Sequence, residues 1–309
     1  MNMKAIRIHQ YGGPEVLAQV ETQRPTPGPN ELLIKVEAAS VNPFDWKVRA
    51  GYMKDFFPLT FPATLGWDVS GTVEEVGAAV TRFKRGDEVY TRLEAGGGYA
   101  EYAVADETIV ARKPRTSDHV QAAAVPTAGL TAWQALFEAA QLRAGQKVLI
   151  HGAAGGVGNF AVQFAKAKGA YVIGTASYRN QSLLGELGVD KAVDYNKAPF
   201  EDVVRDVEVV LDTIGGDTQE RSFEVLKKGG ILVSIVQPPS EELAAKHGVR
   251  AVFYGAHPSS SDLAEIAKLI DSDKVKPVVE TVLPLAEARR AHELSQSGHA
   301  RGKIVLKAA

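Results

Sequence analysis

The stretch His151–Ala170, HGAAGGVGNFAVQFAKAKGA, carries glycines at 152, 155, 156 and 158. Positions without side chains let backbone N–H groups and the first turn of a helix come close to a phosphate. The run before them, KVLIHG, reads as a strand, and Val157–Lys168 as an amphipathic helix. A glycine pattern gains meaning in that strand–turn–helix setting. Gly152, Ala154, Gly155, Gly156, Val157 and Gly158 are therefore candidate contacts to a pyrophosphate, and the last glycine also lets the helix pack closely on its strand. Where a second strand would end, about 20 residues on, an NAD site places an acid for the ribose 2′-hydroxyl. This chain reads GTASYRNQS at 174–182, without an acid but with Ser177 and Arg179. A hydroxyl and a guanidinium hold a 2′-phosphate where a carboxylate would repel it. The expected cofactor is NADPH.

These residues need a scaffold, and the patterning supplies one. From Lys147 onward Val/Ile-rich runs (KVLIHG, YVIGTA, KAVDY, VEVVLDT, GGILVSI) alternate with helical stretches, including Gln181–Leu187 and Asp217–Leu226. That alternation predicts a parallel sheet covered on both faces, a doubly wound Rossmann domain. Upstream, Leu130, Trp133, Phe137 and Ala140 mark one face of a helix. The first 115 or so residues instead show period-2 strands such as ELLIKVEAASV, broken by Gly, Pro and Asp, which predicts an irregular β-barrel. After about residue 260, Ser261 is placed to cap a helix, and a strand (Val278–Leu283), a helix (Leu285–Ser297) and a last strand, GKIVLKA, follow. By pattern alone this tail either extends the parallel sheet or returns to the first domain.

Composition narrows the function. The 309 residues, 45% hydrophobic and 23% charged, suit two ordinary globular domains. A formal net charge of −2 gives no electrostatic case for nucleic acid or a membrane surface. No run approaches the roughly 18 apolar residues of a membrane span. MNMKAIRIHQYGG has no apolar signal-peptide core, so a cytoplasmic protein is expected. The chain has no cysteine, which removes disulfides, thiolate nucleophiles, Fe–S clusters and Cys-ligated zinc. The seven histidines form no i, i+4 pair, and no metal is expected.

Gly145–Ala170 closely resembles the signature of the quinone oxidoreductase, or zeta-crystallin-like, branch of the medium-chain dehydrogenase/reductase superfamily. MKAIRIHQYGGPEVL, VNPFDWKVRAGY, GWDVSGTVEEVG, FKRGDEVY, DTIGG and GKIVL resemble its landmarks in order along the chain. The resemblance implies a GroES-like domain, 1–120 with 262–309, a Rossmann domain, 121–261, and a tail that returns to the former. It implies an active-site cleft between domains and a homodimer through edge pairing of Rossmann sheets. Zinc enzymes of the superfamily carry a Cys and a Gly-His-Glu block; here these regions read SVNPFDWK and LGWDVSG, with Trp67 where the His would stand. Without a Lewis acid to activate an alcohol, the implied reaction is zinc-independent hydride delivery from NADPH to a quinone or other conjugated carbonyl. An alkenal or enone (C=C) reductase is the alternative. A non-catalytic NADPH-binding or RNA-binding zeta-crystallin-like protein is the remote one.

The resemblance also suggests roles. Asn42 would bond a substrate carbonyl or the cofactor, or simply form an Asn-Pro turn. Asp45 would orient backbone or Lys47, or act as a helix N-terminal acid. Tyr52 would donate a hydrogen bond or a proton, or be a partly exposed structural tyrosine. Trp67 would shape the pocket or pack in the core; Phe253, by the aromatic character of VFYGAHP alone, suits a pocket for a flat, conjugated acceptor. Thr127 would approach the nicotinamide ribose, Tyr195 the adenosine 2′-phosphate, unless it is a strand-end aromatic, and Lys303 a cofactor phosphate, unless it is a solvated lysine of a terminal strand, with Gly215 of DTIGG beside the cofactor.

Overall fold

The computed structural model describes residues 1–308. The chain divides into two compact units: Met1–Ala128 together with the segment beginning at Pro258, and Gly129–His257.

In the first unit, a long strand, Glu31–Val41, is the organising element. It pairs antiparallel with Asp68–Val76, with Tyr102–Asp106 and with the terminal strand Lys303–Lys307. Its run Leu32, Leu33, Ile34, Val36, Ala38, Ala39 is buried throughout, so the period-2 alternation marks a strand with both faces covered along most of its length. Register shifts against Asp68–Val76 between Leu33 and Ile34 and between Val36 and Ala38 bend it, as bulges do in curved, barrel-like sheets. A second sheet joins Ala18–Gln23, Asn2–Ile8 and Ala63–Thr64. Lys303–Lys307 also pairs parallel with Val279–Pro284, the two linked through the helix Ala288–Gln296. The tail therefore returns to the first sheet, which resolves the alternative that patterning left open.

The second unit is a six-stranded parallel sheet in the spatial order Lys191–Asp194, Tyr171–Ala176, Lys147–Ile150, Val207–Asp212, Leu226–Ser234, Arg250–Phe253. The first strand in sequence, Lys147–Ile150, lies centrally, and the chain runs outward from it in both directions. That reversal places the switch point, where such sheets bind ligands, at the carboxyl ends of Lys147–Ile150 and Val207–Asp212. Leu149, Val210, Leu232, Phe223 and Phe200 form the apolar cluster on one side of the sheet.

Some element ends differ from expectation. The cap of helix Ser260–Asp271 is Ser259, whose Oγ accepts from Asp262 N at 3.2 Å; Ser261 lies inside the first turn. The stretch expected as one helix to Leu226 is a helix, Gly216–Arg221, tightened into a 3₁₀ turn, Ser222–Val225, before the next strand begins at Leu226. Phe223 and Val225 are fully buried there, and packing their side chains overrides helical continuation. The face through Leu130 and Trp133 belongs to helix Pro126–Gln134, which continues as a π turn, Ala135–Ala139, carrying Phe137.

Candidate active site

In the second unit, strand Lys147–Ile150 runs into the turn His151–Gly155 and then helix Gly156–Ala167. Gly152 has φ +59°, and a Cβ there would lie 2.6 Å from Thr213 Oγ1. At Gly158 a Cβ would come within 2.2 Å of the Gly152 carbonyl oxygen, so helix and turn are in direct backbone contact. Gly155 caps the helix without any side-chain hydrogen bond. The N–H groups of the first turn are thus left to whatever anion approaches. Ala154 is buried beneath the turn, whereas Gly155, Gly156 and Val157 are half-buried. Open donors, and a backbone path that larger residues would block, fit a dinucleotide pyrophosphate.

Two buried side chains hold that turn, and neither stood out in the sequence. His151 is enclosed between Thr175 Oγ1, 3.1 Å from Nδ1, and Ser222 Oγ, 2.9 Å from Nε2. Ser222 Oγ donates to the Thr218 carbonyl, so it accepts from His151 Nε2–H and Thr175 donates to Nδ1. Burial pushes this imidazole down to about 4, and it is a neutral strut at neutral pH. Asp212 ends the neighbouring strand. Its Oδ1 accepts from the N–H groups of Ile214 and Gly215, and its Oδ2 from Ser234 and Gln219. This curls DTIGG into a turn in which Gly215 has φ +79° and faces Gln237, which accounts locally for the glycine. Thr213 Oγ1 then donates to the His151 carbonyl at 2.8 Å, joining the two loops.

The strands Tyr171–Ala176 and Lys191–Asp194 run parallel in register, Ala176 opposite Asp194, so the residues following them emerge side by side. Ser177 is half-buried, and Arg179 and Tyr195 are exposed. The sequence reading missed Lys197, whose Nζ lies 5.0 Å from the centre of the Tyr178 ring. Its only signal was its position two residues beyond Tyr195. Phe253, 51% exposed, ends the outer strand Arg250–Phe253.

In the first unit, strand Glu31–Val41 delivers Asn42 to the start of helix Pro43–Arg49. Pro43 suits the first helical position. Asp45, at the third, accepts from Asn42 N at 3.0 Å. Asn42 is buried with its carboxamide held at both ends: Nδ2 donates to Asp68 Oδ2 at 2.8 Å, and Oδ1 accepts from Lys303 Nζ. Thr127 reaches the same carboxylate, donating to Asp68 Oδ1 from its N–H at 2.8 Å and its hydroxyl at 2.6 Å. Ser40 Oγ donates to Oδ2 at 2.7 Å. Lys303, 3% exposed, also donates to the Val41 carbonyl and stands 3.8 Å from Asp68 Oδ2. The structure thus gathers Asn42, Thr127 and Lys303 around one acid, Asp68, that no sequence motif singles out.

A second layer extends inward. Arg49 donates to His292 Nδ1 at 3.1 Å, and the other ring nitrogen stands 3.3 Å from the Tyr99 hydroxyl, which donates to Asp45 Oδ2. Burial, with Arg49 adding, pushes His292 down to about 3, and burial holds the Tyr99 phenol well above its usual range. Burial likewise lifts Asp45 to about 7, against the lowering bonds from Tyr99 and Asn42 N. Asp45 therefore belongs to this buried chain rather than to Lys47. Tyr52 is 72% exposed, its ring edge-on to Trp46 at 6.2 Å. Trp67 is 2% exposed, packed edge-on against Phe44 at 4.9 Å and Phe57 at 5.7 Å. The donors around Trp67 do not fit a zinc ion. They include no thiol, and the adjacent Asp68 already accepts four hydrogen bonds beside a lysine.

Comparison with known proteins agrees with this anatomy. Residues 28–115 match the family described as alcohol dehydrogenase GroES-like domain, and residues 187–306 that described as zinc-binding dehydrogenase. The chloroplast envelope quinone oxidoreductase homolog of Arabidopsis thaliana is 35% identical, the match covering 98% of each chain. The structure of the quinone oxidoreductase from Coxiella burnetii superposes with a TM-score of 0.92 over the whole of both chains, at 38% identity. That of Escherichia coli quinone oxidoreductase complexed with NADPH gives 0.90 at 30% identity, covering 98% of this chain and 99% of that one. A GroES-like domain, a Rossmann-type sheet and end-to-end kinship at these identities lead to one assignment: this chain belongs to the quinone oxidoreductases, the zinc-free NAD(P)H-dependent oxidoreductases of the medium-chain dehydrogenase/reductase superfamily.

Proposed function

We propose that this protein uses NADPH in preference to NADH and reduces a quinone or another conjugated carbonyl compound without a metal. The observation that carries the cofactor preference is the pair of cations, Arg179 and Lys197, with Ser177 and Tyr195, beyond the ends of two adjacent strands. Guanidinium, ammonium and hydroxyl groups suit a 2′-phosphate dianion. The uncapped turn at Gly155–Gly158, with Gly152, Ala154 and Val157, takes the pyrophosphate, and the Asp212-pinned turn brings the Gly215 backbone alongside.

NADPH supplies the hydride. The protein's own groups must then orient the acceptor and meet negative charge developing on its oxygen. Asn42 offers its second amide hydrogen, and Lys303 stands behind it as a buried cation. Lys303 therefore acts through Asn42 rather than on a cofactor phosphate. Thr127 serves the ribose next to the nicotinamide. Tyr52 donates to the acceptor or returns a proton to it, and Phe253 offers an aromatic face. Trp67 supports the wall formed by Phe44 and Phe57. A quinone and an enone both place charge on a carbonyl oxygen, so the same residues serve an alkenal or enone reductase.

Anaerobic NADPH and NADH oxidation at 340 nm, with a naphthoquinone and a 2-alkenal in parallel, tests this reading. Saturable NADPH-preferring turnover of the quinone supports it, dominant alkenal turnover converts it to the enone reductase, and no turnover of either overturns it. We place the protein in the cytosol and as a homodimer. Strand Arg250–Phe253 pairs only with Leu226–Ser234 among the described residues, leaving an edge for a second copy. Cell fractionation and light scattering check these two points.

A further inference from the structure

The buried carboxylate of Asp68 has a consequence that the reaction class alone does not require. A buried ion pair is a poor way to gain stability, since apolar residues of similar volume do as well or better. Asp68 and Lys303 are nonetheless enclosed 3.8 Å apart in the first unit. What the arrangement achieves is chemical polarity. The carboxylate is an acceptor only and the ammonium a donor only. The Asn42 carboxamide between them can take a single orientation, Nδ2 to Asp68 and Oδ1 to Lys303. Turned over, it would set oxygen against carboxylate and NH₂ against ammonium. Thr127 is constrained in the same way, because its only hydroxyl hydrogen goes to Asp68 Oδ1, leaving its oxygen an acceptor.

We propose that Asp68 is the positioning residue of this site. Its carboxylate fixes the place and the hydrogen-bond polarity of Asn42 and Thr127, so that Asn42 presents an N–H to a carbonyl oxygen and Thr127 an oxygen to a ribose hydroxyl. The inference rests on the reading of these two residues given above. The four donors come from three separate segments: Ser40 and Asn42 at the end of strand Glu31–Val41, Thr127 at the start of helix Pro126–Gln134, and Lys303 at the start of the last strand, the last by charge and the others by hydrogen bonds. One side chain thus aligns elements that are far apart in sequence.

The test is Asp68→Asn, which keeps the shape but replaces one acceptor oxygen by a donor NH₂. It cannot satisfy Thr127 and Asn42 together, and the carboxamide of Asn42 loses its single orientation. The expected result is a kcat lowered about 100-fold, as a displacement of about 1 Å costs, with KM for NADPH changed by less than about threefold because the phosphate contacts lie in the other unit. An unchanged kcat in a folded variant overturns the proposal. If Asp68→Asn does not fold, Asp68→Asn/Lys303→Met removes both buried charges and restores stability. Its kcat is expected to stay low, and recovery of wild-type kcat would mean that Asp68 only neutralises Lys303. If the wild type turns over neither acceptor, the functional reading fails, and positioning is read from the Lys303 ε-carbon resonance in ¹³C-lysine spectra. Asp68→Asn should move its titration to lower pH, since burial then acts without the larger of its two opposing charges, Asp68 and Asp45; an unmoved resonance overturns the proposal.

Discussion

The glycine turn of the second unit and the Asp68 cluster of the first fix the positions of polar groups by opposite means. The turn is made of backbone within eight consecutive residues, 151–158, and works because side chains are missing. The cluster is made of side chains from positions 40, 42, 68, 127 and 303, and works because each is pinned by another. A backbone site tolerates change wherever space allows and fails where a Cβ would strike the chain. A side-chain network fails whenever one partner leaves another buried and unpaired.

The sharpest way to break this contrast is Lys303→Met. It strands the Asp68 carboxylate, and a loss of about 3–5 kcal/mol in denaturant unfolding is expected. Retained stability would show that the network is not coupled. Next comes Gly158→Ala, whose new Cβ overlaps the Gly152 carbonyl at 2.2 Å. Overpacking against backbone should cost about 1–3 kcal/mol and abolish NADPH binding followed by its fluorescence. Gly155→Ala meets only Gly152 O, at 3.2 Å, and should be far milder. Equal effects at the two glycines would defeat the close-approach account.

The cations beyond the second and third strands sharpen the comparison, since the proposed 2′-phosphate contact would add side chains to a backbone site. Arg179→Ala and Lys197→Ala should each lower the NADPH-over-NADH ratio of kcat/KM by about tenfold, one charge-assisted contact being worth about 1.5 kcal/mol.

Titration separates the regions further. His151 and His292 are held at about 4 and 3 in the folded chain, below the ordinary 6.5. Between those values the unfolded chain binds more protons, so stability falls as pH drops below 6.5. Asp45 is raised to about 7 from 3.8, facing Tyr99, Asn42 N, Asp68 and Lys303. Here the folded chain binds more protons, and the associated stability is lost as pH rises through 7. Asp45→Asn cannot ionise, so its melting temperature should gain on the wild type as pH rises from 3.8 to about 7 and then hold level. A constant difference would mean that Asp45 does not titrate there. The smallest effect is at the caps: Ser259→Ala should cost about 1 kcal/mol and Ser261→Ala less than about 0.5 kcal/mol in the same unfolding assay.

The legibility of these features follows from the same contrast. Glycines 152–158 and the strand runs around them act through residues close in sequence, so local pattern is enough to read a Rossmann-type parallel sheet. Backbone conformation and helix termini are governed over a few residues, and their chemistry is written in the order of residue types. Asp68, by contrast, sits in an unremarkable strand, and Lys303 in a terminal strand where a lysine is usually solvated. Nothing in either neighbourhood says that pairing of the strands at 31–41, 68–76 and 303–307 will bring them to one carboxamide. The same is true of His292 and Arg49, 243 positions apart, and of Trp67, whose burial depends on Phe44 and Phe57. Burial and partner identity are properties of the assembled strands, because desolvation and hydrogen-bond geometry exist only once distant segments have closed around a side chain.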